Sequence, residues 1–395
     1  MSRLQFPSDR QPVIVSARRS AIGRAGGMFA QVDVEDLAAP VLRAVVQDAG
    51  ISASEIDEVI LGNAAGPGGN IARLSALRAG FGIDIAGVTT DRQCGSGLEA
   101  VMNACWLVAG GAGDVIVAGG VESVSRAPVR GMRSLDGGEP EFYGRARFSP
   151  EEIGDPEMGI AAENVARKYG ISRQRQDKFS LQSQQRAAFA RAAGVFASEI
   201  VDVADNRVDE CIRAQASLEK MAQLRPVFQA DGTVTAANAC PLNDGSAAVV
   251  VMTAAKARAL GHQRGLAFVE GAAAGVDPNL LGIGPVASTQ KLLKRRADID
   301  LKQLKLLEFN EAFAAQVLAS LDELGLPDTL PCQQGGAIAL GHPFGASGAI
   351  LVTRLFSQMI RDPAADLPEN ALAMAMIGIG GGLGLTAAFE VLELG

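Results

Sequence analysis

The chain has 395 residues, of which 48% are hydrophobic, 20% charged and only 5% aromatic, and it carries a net charge of -8. Its length exceeds what one hydrophobic core usually supports, so two or more packed units are expected, and an acidic chain without a basic stripe excludes a nucleic-acid surface. The polar amino terminus, the lack of an apolar run near ~20 residues and five cysteines without paired spacing predict a soluble, cytoplasmic protein in a reducing compartment, with no metal site.

Residues 56–64, Ile-Asp-Glu-Val-Ile-Leu-Gly-Asn-Ala, predict the end of a helix and then a buried strand that stops at a polar tip. Cys94 follows, in Asp-Arg-Gln-Cys-Gly-Ser-Gly, ahead of a helix predicted over 100–108. Amide donors and the positive end of a helix dipole favour thiolate over thiol, which makes Cys94 a candidate nucleophile, while Gly95 and Gly97 let a substrate come close. The same string also suits a small cysteine packed beneath a tight turn. A strand over 114–120 comes next. Residues 121–242 are richer in charge and in helix formers, with helices over 158–169 and 173–193; an insertion of that length is expected to serve as a lid or binding element. A strand over 246–252 then completes the first unit.

The second unit repeats the first. Residues 304–312 read as 56–64 do, His342-Pro-Phe-Gly-Ala-Ser-Gly opens a helix that leads to a strand over 371–378, and a glycine turn and a strand over 384–394 finish the chain. This internal duplication predicts two α/β units with mixed sheets covered by helices, divided as 1–120 (completed by 243–266), the insertion 121–242, and 267–395. Of the two histidines, His262 lies in a polar stretch and is expected at the surface. His342 is the candidate base, since a neutral imidazole beside a thiol raises the thiolate population near neutral pH; the alternative is a core histidine bonded within a helix cap.

Four segments thus stand at the tips of equivalent elements: Cys94-Gly-Ser-Gly, Asn310-Glu-Ala-Phe, Gly341-His342-Pro343 with the Gly-Ala-Ser-Gly that follows, and the glycine turn from Gly378 to Gly384. Together with Gly119-Gly-Val-Glu-Ser, Met158-Gly, Leu224-Arg-Pro-Val-Phe and Leu242-Asn-Asp-Gly, they resemble the thiolase family over nearly the whole chain. The resemblance implies a five-layered α-β-α-β-α fold with an inserted lid domain and a place in fatty acid metabolism. It also implies a homo-oligomer, a dimer or a dimer of dimers, with active sites near the interface. The substrates it implies are acyl-CoA thioesters and CoA, with no tightly bound cofactor, and the acyl group passes through a thioester on Cys94.

In that reading His342 draws the proton from Cys94. Asn310 holds a water that forms one oxyanion hole with His342 Nε2, and the amides of Cys94 and Gly380 form the other. Glu311 either orients the water or a neighbouring group, or makes a structural salt bridge. Met158, Lys220, Met221, Leu224, Ala236, Cys240, Ala312 and Phe313 are implied along the CoA channel, and Arg213, Lys220 and Arg225 are candidates for its phosphates.

The chain also departs from the family. Where the final glycine motif begins with a second cysteine that shuttles the α-proton in carbon-carbon chemistry, this chain has Gly378, and losing a positioned acid/base typically forfeits about 10²- to 10⁴-fold in rate. Asn238-Ala-Cys-Pro stands for Asn-Ala-Ser-Gly, and Glu157 for a histidine. Acylation of Cys94 is expected to survive, with Claisen condensation or thiolytic cleavage impaired or altered. The alternatives are an acyl-CoA hydrolase, an acyltransferase to another acceptor, or a non-catalytic CoA-binding partner subunit. A replacement acid/base from elsewhere, an engineered substitution and lost catalysis all stay open as accounts of Gly378. A cysteine peptidase is disfavoured, because duplicated glycine-rich halves offer no evident peptide groove.

Overall fold

The computed structural model describes residues 3–362 and 367–395. The first unit runs β1 (Pro12–Ser20), β2 (Gly23–Arg24), α1 (Val34–Asp48), β3 (Glu58–Gly62), α2 (Ile71–Arg78), β4 (Ala86–Thr90), α3 (Ser96–Gly110) and β5 (Val115–Ser123). The inserted segment contains β6 (Arg130–Met132), β7 (Glu141–Tyr143), α4 (Met158–Lys168), α5 (Arg173–Ala192), β8 (Ile200–Val201) and α6 (Leu218–Ala222). The chain then re-enters the first unit as β9 (Asn243–Thr253) and α7 (Ala254–Ala259). The second unit follows as β10 (Arg264–Gly275), α8 (Gly284–Arg295), β11 (Leu304–Phe309), α9 (Ala314–Leu324), α10 (Ala337–Leu340), α11 (Phe344–Phe356), β12 (Leu372–Ile379) and β13 (Leu383–Glu393).

Each unit builds the same mixed sheet. The strand order β4-β3-β5-β9-β1 of the first is matched by β11-β12-β13-β10 in the second, and Leu307 pairs with Pro331 where the first unit has β4. The two sheets are not separate: β1 and β10 join edge to edge at Val13 with Ala267 and Ile14 with Leu266, which makes one continuous 11-stranded sheet. Strands buried on both faces lack polar alternation, and β5, β9 and β12 accordingly read as near-continuous apolar runs. α1 and α2 cover the outer face of the first unit and α8 that of the second, while α3 and α11 lie between and touch strands of both. The layers are therefore helix, sheet, helix, sheet, helix.

The middle helices are largely apolar, as a buried helix must be, with the exceptions paired: Glu99 of α3 with Arg92 and Arg354 of α11 with Glu199. They cross with their backbones in contact. A β-carbon on Gly97 would fall 2.7 Å from the carbonyl oxygen of Gly345, and one on Gly348 would fall 2.2 Å from Leu98 N. α3 starts at Ser96, four residues earlier than the apolar pattern suggests, because Ser96 Oγ accepts from Arg92 N at 2.9 Å and so caps the turn that carries Cys94. β5 runs to Ser123, past the start of the insertion expected from sequence, since its last residues still pair with Asp244 to Ser246 of β9.

Buried ion pairs fix the insertion to the core. Arg19 of β1 donates to Glu199 at 2.7 Å and to both carboxylate oxygens of Asp209 at 2.7 and 2.9 Å, and Arg354 of α11 shares Glu199. On the other side Arg175 of α5 pairs with Asp322 and Asp328 near α9.

The crossing makes a prediction. Gly348→Val forces a side chain into the α3 backbone and is expected to destabilise by about 3 kcal/mol or more, at or beyond the upper end of overpacking effects. Gly110→Ala, at the open end of α3 where a β-carbon meets nothing within 4 Å, is expected to stay within about 0.5 kcal/mol of the parent. Denaturant titration of the two variants against the parent measures both.

Candidate active site

Cys94 sits half-buried on the turn between β4 and α3, just ahead of the helix. The residue before it, Gln93, has φ 44°, a left-handed conformation that a non-glycine residue holds only when its surroundings impose it. Asp91 Oδ1 accepts from Gln93 N at 2.9 Å and Ser96 Oγ donates to Gln93 O at 2.6 Å, so the strained turn is tied from both sides. The backbone N–H groups of Gly380 and of Cys94 itself point at the Cys94 sulfur. Burial nevertheless dominates: it pushes the thiol up to about 12 against those donors, with Glu122 and Asp91 adding to the rise.

His342 is the last polar residue before α11, and only 2% of it is exposed. Its Nδ1 lies 2.6 Å from Ser347 Oγ, one turn into the helix, and Ser347 gives its own proton to Pro343 O at 2.9 Å. Ser347 must therefore accept from His342 Nδ1–H, which leaves Nε2 as the free lone pair. Asn310, beyond the end of β11, donates to that Nε2 from Nδ2 at 3.5 Å. Burial drives the imidazole down to about 3, so it is neutral in the resting site. Asn243 Oδ1 accepts from His342 N at 2.8 Å and Asn243 Nδ2 donates to Gly23 O at 2.9 Å, which locks the histidine to the first unit. Gly341 makes room for this, since a β-carbon there would lie 2.5 Å from Asn243 Cγ and its φ is +119°.

Glu122 joins the two units from the end of β5. It accepts from Ala64 N at 3.0 Å, Ala65 N at 3.1 Å, Asn63 Nδ2 at 3.1 Å and Gly345 N at 2.9 Å, the last in the first turn of α11. Glu311 plays the matching part in the second unit. It accepts from Ser183 Oγ of α5 at 2.6 Å and from Ile338 N at 3.2 Å, and so holds the stretch that leads to His342 through neutral donors, not through an ion pair.

A cavity of about 840 Å³ runs beside this cluster, large enough for a cofactor-sized chain. Lys220, Met221, Leu224, Ala236 and Cys240 line it, with Arg24, Arg213 and Phe228. Met158, Ala312 and Phe313 pack with Ala161, Ala162, Val234 and Leu281, and the Phe313 ring meets Phe228 edge-on at 6.3 Å. Arg225 is exposed outside the lining. Phe148 of the insertion covers the glycine turn, because a β-carbon on Gly380 would come within 2.7 Å of its ring and 3.3 Å of Met158 Sδ. His262 is bonded to Ala49 O at 3.1 Å, away from these residues.

Sequence reasoning missed Ser347, Asn243, Glu122 and Phe148. Ser347 and Asn243 lie inside motifs already recognised, where a polar side chain one turn from a histidine or at the start of a buried strand is the available signal. Phe148 carries none, because its role depends on how the insertion folds back.

An enzyme of the acyltransferase class is defined by these features: two duplicated α/β units, a cysteine and a histidine at the facing ends of their central helices, and amides converging on the thiol. Residues 12–255 match the family description "Thiolase, N-terminal domain" and residues 264–391 "Thiolase, C-terminal domain". A Bacillus subtilis relative is 45% identical over 382 residues, covering 96% of this chain and 99% of its own length. A Staphylococcus epidermidis relative is 44% identical over 389 residues, covering 96% and 98%. Both are provisionally named acetyl-CoA C-acetyltransferase. The crystal structure of the Bacillus anthracis acetyl-CoA acetyltransferase superposes with a TM-score of 0.88 at 36% identity, over 99% of this chain and all of that one. The chain belongs to the thiolase family.

Two pH effects follow. With the Cys94 thiol pushed up to about 12 and the His342 imidazole down to about 3, the resting pair is neutral and the proton moves only as the sulfur attacks. Alkylation of Cys94 by iodoacetamide is expected to rise about tenfold per pH unit from pH 6 to 9 without the plateau that a preformed thiolate-imidazolium pair gives. Burial also raises Glu122, Glu308 and Glu311, each to about 7. The folded chain then binds more protons than the unfolded chain between about pH 4.5 and 7, so stability falls as pH rises through that window. The melting temperature is expected to be higher at pH 5.5 than at pH 8, and Glu311→Gln to flatten the difference.

Proposed function

We propose that the protein is an acyl-CoA acyltransferase that carries its acyl group as a thioester on Cys94. The carrying observation is the convergence of the Cys94 and Gly380 amides on the sulfur, together with a neutral histidine whose Nε2 is the accepting nitrogen and lies 3.5 Å from Asn310 Nδ2. In the first half-reaction His342 Nε2 takes the Cys94 proton, the sulfur attacks the acyl carbonyl, and the resulting oxyanion receives hydrogen bonds already in place. Once protonated, Nε2 becomes a donor beside Asn310, which is how a bound water and the imidazolium would share the second oxyanion. CoA leaves, and in the second half-reaction an acceptor takes the acyl group.

Acetyl-CoA is the expected donor, in keeping with the names of the relatives. The pantetheine arm would lie along the cavity walled by Met221, Leu224, Ala236 and Phe228, with Arg24, Arg213 and Lys220 able to meet the phosphates. Glu311 acts as a positioning residue, through the segment before His342. The division of the chain at 1–120 with 243–266, 121–242 and 267–395 belongs to the same reading, with the insertion as the wall of the channel. A homodimer fits the open edge of β4, where Val88 is 43% exposed beside the Cys94 turn. Among the described residues no helix is long and apolar enough to cross a membrane, and a cytoplasmic site of action is part of the proposal. The absence of a thiol at Gly378 favours, as a second reading, transfer to an acceptor other than a carbanion, water included.

Incubation with acetyl-CoA or a longer acyl-CoA is expected to add one acyl group to the peptide that contains Cys94, seen by mass spectrometry, and Cys94→Ala to lose it entirely. An unmodified Cys94 after incubation with a range of acyl-CoAs would sink the acyl-enzyme mechanism.

A further inference from the structure

Making or breaking a carbon-carbon bond next to a thioester needs a group that gives or takes the α-proton, and position 378 cannot supply it. Glycine has no such group, and the backbone leaves no room for one: a β-carbon there would fall 2.6 Å from Gly282 Cα and 3.0 Å from Gln316 Oε1. Of the other thiols, Cys105 is buried within α3 and Cys332 donates to Phe309 O at 3.2 Å inside the second unit. Cys211 lines the cavity too, but its sulfur is engaged in accepting from Asn243 Nδ2 at 3.2 Å. Cys240 is held beside the site by its backbone. Its N–H donates to Ala312 O at 2.9 Å, Ala239 pairs with Phe313, and Leu242 pairs with His342, so the residue is strung between the Asn-Glu-Ala-Phe segment and the catalytic histidine. Its side chain forms part of the cavity wall with Ile338 and Gln184.

We propose that Cys240 is the catalytic acid/base of the carbon-carbon step, taking the role that position 378 cannot fill. The inference rests on the acyl-enzyme reading above. The electrostatics agree with it: burial first, and then repulsion from a charged Cys94, push the Cys240 thiol well above its ordinary range, so it enters the reaction as S–H.

In thiolysis the Cys94 thiolate, its proton on His342, attacks the 3-oxo carbon of a 3-oxoacyl-CoA. The bond between C2 and C3 breaks, its electron pair goes to C2 as the acetyl-CoA enolate, and C2 takes the proton of Cys240 S–H. The Cys240 thiolate then takes the thiol proton of incoming CoA, whose sulfur attacks the acyl-Cys94 thioester. Cys94 leaves as thiolate and recovers its proton from His342. Condensation is the same sequence reversed, and no other reactant is consumed.

The test compares the full chain with Cys240→Ser and Cys240→Ala. It measures the rate of acyl transfer to Cys94, the rate of acetoacetyl-CoA thiolysis, and exchange of the acetyl-CoA methyl protons with D2O by NMR. The parent is expected to show all three. In both variants the ratio of thiolysis to acylation is expected to fall by about 10²- to 10⁴-fold, and methyl-proton exchange to fall with it. An unchanged ratio, or thiolysis and acylation declining in parallel as for a residue that only packs against pantetheine, overturns the proposal. So does a parent that acylates Cys94 yet neither cleaves acetoacetyl-CoA nor exchanges protons, an outcome that leaves the acyl-enzyme reading standing. No acylation of the parent at all would overturn both.

Discussion

The backbone contact between α3 and α11 is the constraint from which the site follows. Glycine at positions 97, 345 and 348 lets two buried helices approach until main chain meets main chain, and the turns that lead into them carry the Cys94 thiol on one and the His342 imidazole on the other. Close-packed interiors do not deform continuously, so the relative placement of these groups is a property of the crossing and not of either helix alone. Glu122 strengthens the same junction, since one carboxylate binds the end of β3 and the start of α11 together.

Around that junction the protein has put its ionisable groups in a dry place. Desolvation outweighs the two amides at Cys94, and it holds the His342 imidazole down as well. The resting site therefore stores no charge separation. The amides of Gly380 and Cys94 favour negative charge on the sulfur, yet burial outweighs them. The aromatic ring of Phe148 and the thioether of Met158, packed over the glycine turn, keep bulk water from competing for the same amides.

Much of this was legible in the sequence. The repeated order of elements predicts two equivalent units, and the motifs at their tips single out Cys94, Asn310, His342 and Gly380 as candidates. A thiolate stabilised by its helix was the expectation at Cys94, and it gave way because dipole and donors can be read from neighbours in the chain whereas burial depends on everything packed above. The joining of β1 to β10 rests on a single short pairing that leaves no trace in hydrophobic pattern. Ser347 fixes the histidine tautomer across one helical turn, and Asn243 reaches His342 from a strand 99 residues away, a proximity that no local spacing encodes. Met158, Ala312 and Phe313 belong to family motifs and pack together as one small apolar cluster, a grouping across distant stretches of chain that no local spacing encodes.

The shared carboxylate of Glu199, held between Arg19 and Arg354, has a bearing on how the inserted segment can move. Detaching the inserted segment would strand two guanidinium groups in an apolar interior, and breaking such a pair costs several kcal/mol. At this point the inserted segment is mortared to the two central layers, and any movement of its other parts has to pivot on a joint that stays shut.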